Sequence, residues 1–139
     1  MAIVIDASAA VPWFLPDEAS EQSDYFYKQV VSSQGLYHAP ALWIWETGHI
    51  LMSALRRKRV LPEQLQAGLA QLHGCPISFA PIPSAHKQFQ ILRLAQTHDL
   101  SYYDASYLEL VLSLNGQLAS ADSKLVHAAK SCGVLCIDL

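Results

Sequence analysis

The 139-residue chain is poor in charge, lacks any long apolar run, and has no metal-type spacing of cysteine and histidine; each deficit narrows what it can do. Only 15% of its side chains are charged and they sum to −3, so no broad positive field marks it as a nucleic-acid binder. Any contact with a polyanion has to be local. No stretch approaches the roughly 18 apolar residues of a membrane span, and the opening apolar run stops at Ile5 without a basic flank or cleavage-like site. A soluble, cytoplasmic protein with no membrane partner is the expectation. Three cysteines, Cys75, Cys132 and Cys136, are an odd number, and six histidines show neither HxH nor HExxH spacing. They read as reduced, mostly buried thiols and as structural or surface imidazoles, not as a disulfide or zinc framework. Repeats, linkers and low-complexity tracts are missing as well.

What is present fits one domain with a real core. The apolar fraction of 52% is slightly above the usual range, a hint that some surface is covered by a partner. Strand-like and helix-like segments alternate, which predicts a mostly parallel central sheet in an α/β fold. Strands are expected at Ile3–Ile5, Gly35–Ala39, Ile77–Ile82, Leu118–Ser120 and Val134–Ile137. The helices expected between them are Ser8–Phe14, disturbed by Pro12, one opening at Pro16, one from Pro40 to about Arg59, and then Pro62–His73, Ser84–His98, Ser101–Leu114 and Ser123–Ser131. The acids Asp17, Glu18 and Glu21 suit the helix N-terminus that follows Pro16.

Four acids stand out against this frame. Asp6 ends the β-branched run Ile3-Val4-Ile5, and the segment Ala119-Ser120-Ala121-Asp122 repeats the order of strand, acid and helix. Ligands of open α/β sheets collect beyond the carboxyl ends of strands, so both acids are candidates for a site there. Both are equally candidates for helix N-caps. Glu46 lies in a helix apolar nearly all round and therefore expected to be buried, where a carboxylate needs a cation, a metal or a proton. Asp104 opens another helix three residues after Ser101, as a first-turn acid facing the sheet edge or as a capping-box partner. Four converging carboxylates would raise one another's pKa unless a cation held them ionised. Acids and hydroxyls without a Cys or His pattern point to Mg²⁺ or Mn²⁺. Arg56, Arg57, Lys58 and Arg59, four of the nine basic residues, complement a helix C-terminus or contact phosphate.

Ile3-Val4-Ile5-Asp6-Ala7-Ser8, the Glu46 helix, Tyr103-Asp104-Ala105-Ser106-Tyr107-Leu108 and Ser120-Ala121-Asp122-Ser123-Lys124-Leu125 together resemble the PIN-domain family, especially the VapC-type toxin ribonucleases. The likeness runs over nearly the whole chain in the right order and implies a three-layer α/β/α sandwich in a single domain. It implies that Asp6, Glu46, Asp104 and Asp122 hold Mg²⁺ or Mn²⁺ for hydrolysis of RNA phosphodiesters, with Ser8 and Ser120 at the hydroxyl positions beside metal and phosphate. Where the family often has asparagine, three residues after the glutamate, this chain has His49, which could tune Glu46 or contact RNA. Single-stranded or looped RNA is the substrate the resemblance favours, with Arg56 to Arg59 and Lys124 as phosphate-steering candidates. Trp43, Trp45, Tyr102 and Tyr103 could stack bases, although core packing is the commoner role for such residues. The toxin likeness further implies a homodimer and a small VapB-type antitoxin occluding the acidic pocket.

Competing chemistries fit less well. A haloacid-dehalogenase-like phosphatase needs a second aspartate two residues after the first, where this chain has Ser8. A receiver-type signalling domain wants adjacent acids after its first strand and a phosphoacceptor at a central strand tip. A housekeeping PIN nuclease without an antitoxin, or a silent PIN-like binding module whose acids are only caps, remain the alternatives.

Overall fold

The computed structural model describes all residues, 1–139. Its elements follow in the order β1 (Ile3–Ile5), α1 (Ala7–Phe14), a 3₁₀ turn (Pro16–Glu18), α2 (Glu21–Ser32), β2 (Tyr37–Ala39), α3 (Leu42–Arg56), α4 (Pro62–His73), β3 (Ile77–Phe79), α5 (Ala85–His98), α6 (Tyr102–Ser113), β4 (Gln117–Ala119) and α7 (Ser123–Ser131). The strands form one parallel sheet in the order β3-β2-β1-β4. Parallel strands need long crossovers, and the helices that supply them cover the sheet on both sides. In one layer α1 packs on α2, α3 and α4; in the other α6 packs on α5, α7 and β1. β1 is central and wholly buried, which is why its sequence is unbroken Ile-Val-Ile. Ile5, Trp43, Tyr107, Leu108 and Leu118 are among the side chains shut off from solvent at the core.

Several element ends differ from those read off the sequence. The chain after Pro16 makes a separate 3₁₀ turn, and α2 starts at Glu21 behind its own Ser20 cap. β3 stops at Phe79; Ala80 still donates to the Ala39 carbonyl, but β2 ends at Ala39 and the chain turns away into α3, so Pro81 and Ile82 have no partner strand. The expected strand at Val134–Ile137 shrinks to a single bridge between Cys136 and Leu118. Gly116 admits the backbone of β4 beside that of β1, since a Cβ there would meet the Ala2 carbonyl oxygen at 2.5 Å.

The largest departure is α3, which is neither buried all round nor continuous to Arg59. It ends at Arg56, because Lys58 takes a left-handed conformation (φ 57°) and the N–H of Arg59 bonds back to the Ala54 carbonyl. Thr47, Leu51 and Ala54 face the core with Trp43, whereas Trp45, His49, Met52 and Arg56 form an exposed stripe. No helix is long and apolar enough to cross a membrane.

Candidate acidic site at the strand tips

The site is set by the pairing of the chain's two ends. Register matches Ile5 with Ala119, so β1 and β4 finish side by side and deliver Asp6 and Ser120 to the same edge. The Asp6 N–H donates to the Ala119 carbonyl at 2.9 Å, continuing the ladder one step beyond the strands. Asp6 occupies the N-cap position of α1 yet makes no side-chain cap bond. Its Oδ2 instead accepts from the hydroxyls of Ser8 at 2.6 Å and Ser120 at 2.8 Å. Each serine is itself aimed by backbone just beyond β4, Ser8 Oγ accepting across the strands from the Ala121 N–H and Ser120 Oγ from the Asp122 N–H, both at 3.0 Å. Both hydroxyl hydrogens point at one buried carboxylate, so these serines orient Asp6.

Asp122 does cap its helix, accepting at Oδ1 from the N–H groups of Lys124 and Leu125. Capping and site membership are compatible because the cap engages one of its two oxygens. At α6 the cap is Ser101, whose Oγ accepts from the Asp104 N–H at 3.0 Å without the reciprocal bond of a capping box. Glu46 reaches the group from α3, with Oε1 accepting a 2.5 Å hydrogen bond from the hydroxyl of Tyr107.

The four acids share one electrostatic environment. Burial raises the pKa of Asp6, opposed by its serine bonds and reinforced by the charge of Asp122. Burial also raises Glu46, with Asp6 and Asp104 adding to the rise against the Tyr107 bond. Asp104 rises through burial and then through Asp122 and Asp6, with Lys124 pulling the other way. No ion pair joins any of the four; Lys124 lies 3.6 Å from Asp99 on an exposed surface. As they stand, no three His, Cys, Asp or Glu side chains close into a cage around a common point. A Mg²⁺ ion needs no such cage, since it keeps several waters and takes one or two carboxylates directly. Hard oxygen donors, mutual repulsion and the lack of an internal counter-cation therefore suit a divalent ion of that class.

This chain matches the PIN domain family over residues 3–131. It belongs to that family. The PIN domain is similar to Ribonuclease VapC3 of Pyrobaculum aerophilum, with 28% identity over 131 residues that cover 91% of this chain and 94% of the relative. The crystal structure of PAE2754 from the same organism shares the fold with a TM-score of 0.73 at 23% identity, covering 98% of this chain and 83% of that one. The crystal structure of FitAcB from Neisseria gonorrhoeae superposes with a TM-score of 0.60 at 18% identity, over 98% and 96% of the two chains.

Within this PIN domain the acidic site gathers Asp6, Ser8, Glu46, Asp104, Ser120 and Asp122, with Lys124 at its border. His49 is exposed on α3, close to Glu46 but not hydrogen-bonded to it, and so stands beside the cluster. Arg56, Arg57 and Lys58 lie exposed where α3 ends, about 15 Å along the helix from Glu46. Arg59 is engaged elsewhere, bonded through Nε and Nη2 to Asp17 and through Nη2 to Glu18 at 2.6 Å. Those two acids stand in the 3₁₀ turn, so they hold an arginine and do not serve the dipole of α2. Tyr107 is the residue that sequence reasoning missed. Its position three after Asp104 placed it on the same side of α6, but a partner 61 residues away was visible only in the fold.

Proposed function

We propose that this PIN domain is a Mg²⁺- or Mn²⁺-dependent endoribonuclease of the VapC type, acting as a homodimeric toxin that a small antitoxin restrains. The observation that carries the reading is the set of four acids beside the ends of β1 and β4, Asp6 and Asp122 from the strand ends, Glu46 from α3 and Asp104 from α6, three of them with raised pKa and none neutralised by an ion pair. Similarity to a ribonuclease over nine-tenths of both chains supports the same chemistry. When bound, the metal lowers the pKa of a coordinated water and offsets charge on the phosphate and leaving oxygen. Asp6, Asp104 and Asp122 would hold it, and Glu46 would complete the shell or orient the attacking water. Ser8 and Ser120 keep Asp6 in its acceptor geometry, and Tyr107 does the same for Glu46. Lys124, whose charge acts on Asp104, would meet a phosphate of single-stranded or looped RNA.

Protein freed of contaminating nuclease should cut single-stranded RNA in Mg²⁺ or Mn²⁺, lose the activity in EDTA and regain it when metal is returned. Cleavage that persists in EDTA, or none with any divalent ion, rejects the proposal. Its expression should arrest bacterial growth and the neighbouring small protein should relieve the arrest; metal-dependent cleavage without arrest would identify a housekeeping nuclease.

Tyr107→Phe keeps the ring that fills the core and removes the only hydrogen bond made to Glu46. Supports of this kind are worth about 10- to 100-fold in metal affinity or rate. A loss of that size in kcat, with an unchanged circular dichroism spectrum, is expected. Wild-type kcat would show that Glu46 needs no such support.

A further inference from the structure

We propose that Trp45 and Tyr103 flank a nucleobase-binding subsite that receives the base of a nucleotide beside the phosphate held at the acids; the assignment rests on the ribonuclease reading above. Of the chain's three tryptophans, Trp13 and Trp43 are 8% and 1% exposed, whereas Trp45 is 68% exposed. Trp43 and Trp45 are two residues apart on α3, roughly 200° around the helix, so the one that packs the core forces the other outward. Tyr103, 58% exposed, comes from the first turn of α6. With Leu42, Glu46, His49 and Ile50 these two aromatics line a cleft of about 630 Å³.

The position of the cleft names its ligand. Glu46 is both a wall of it and a member of the acidic group, and Tyr103 immediately precedes Asp104. A strand whose phosphate sits at the acids therefore has its neighbouring base beside the cleft. No lysine or arginine lines the cleft, and Glu46 repels anions, so its walls disfavour phosphate. They instead offer aromatic and aliphatic faces for a neutral planar ring, and the His49 imidazole can hydrogen-bond a base edge. The exposed stripe of α3 continues from Trp45 through His49 and Met52 to Arg56, about 16 Å away, where Arg56, Arg57 and Lys58 stand free of ion pairs. Aromatic faces near the acids and cations farther along match the alternation of bases and phosphates in a single strand.

The test measures binding of a short, fluorescently labelled single-stranded RNA of random sequence to the full chain by anisotropy. Ca²⁺ replaces Mg²⁺ so that the oligonucleotide stays intact, and cleavage in Mg²⁺ is followed in parallel. Trp45→Ala should weaken binding about tenfold, as loss of one stacked base does, Tyr103→Ala should weaken it severalfold, and Trp45→Phe should recover most of the affinity. Tyr25→Ala, which removes an equally exposed aromatic from α2, should bind as wild type does. An abasic oligonucleotide should bind wild type and Trp45→Ala alike. Unchanged affinity in Trp45→Ala, beside normal cleavage by the wild type, overturns the subsite and leaves the nuclease standing. A wild type that neither binds nor cuts RNA overturns both. Loss of co-purification with the neighbouring small protein, with RNA affinity intact, marks a protein-docking face and also overturns the assignment.

Discussion

Asp6→Asn is expected to lower RNA cleavage at saturating Mg²⁺ by at least about a hundredfold, because a ligand of the ion should cost no less than the groups supporting it. The substitution is nearly isosteric, and an amide oxygen can still accept the hydroxyls of Ser8 and Ser120 now bonded to Oδ2. What it removes is the negative charge of a group only 5% exposed, at the point where two strands end. Asp6 makes no cap bond, so α1 loses nothing of its N-terminal support. Initial rates on single-stranded RNA, beside a circular dichroism melt, separate this from misfolding. A folded Asp6→Asn protein that cuts as fast as the wild type would remove Asp6 from the chemistry.

The second large effect concerns stability without metal. Asp6, Glu46 and Asp104 all have raised pKa values, through burial first and then through one another's charge. In the window above the ordinary carboxylate range, about pH 4, the folded chain therefore holds more protons at these sites than the unfolded chain. Stability from these groups is full below that range and is lost as pH rises through the raised values, because folding must then keep like charges together out of water. In EDTA the protein is expected to melt at a lower temperature at neutral pH than at about pH 5. Mg²⁺ at neutral pH should reverse the loss by binding the folded state alone. Asp104→Asn, which relieves the repulsion, should raise the metal-free neutral Tm by a few degrees, the scale of one unfavourable interaction in a chain of this size. Thermal melts by circular dichroism check all three. A metal-free Tm that rises between those pH values, or falls in Asp104→Asn, would show that the acids do not strain the fold.

Together these outcomes would mean that the site trades stability for chemistry. The residues that weaken the metal-free fold are the ones expected to act on RNA, whereas a core that needs no charge, including Trp43, Tyr107 and Leu118, holds the strands that carry them.

Local signals in the sequence were enough for most of the elements and for naming the four acids as candidates. An unbroken Ile-Val-Ile run is what a strand buried on both faces requires, and serines before helical periods at Ser84 and Ser101 became caps as their chemistry dictates. The roles of those acids depended on contacts far apart in the chain, which no local pattern encodes. Asp6 and Asp122 carried the same two readings until pairing of Ile5 with Ala119 brought their strand ends together, after which one proved to cap and the other did not. Trp43 and Trp45 were likewise interchangeable in an apolar stretch, and only the packing of α3 in the fold, with Trp43 against Phe79 of β3, buried one and exposed the other. Composition and periodicity determined which residues could form a site. Register and helix packing decided which of them meet, because those are properties of distant segments brought into contact.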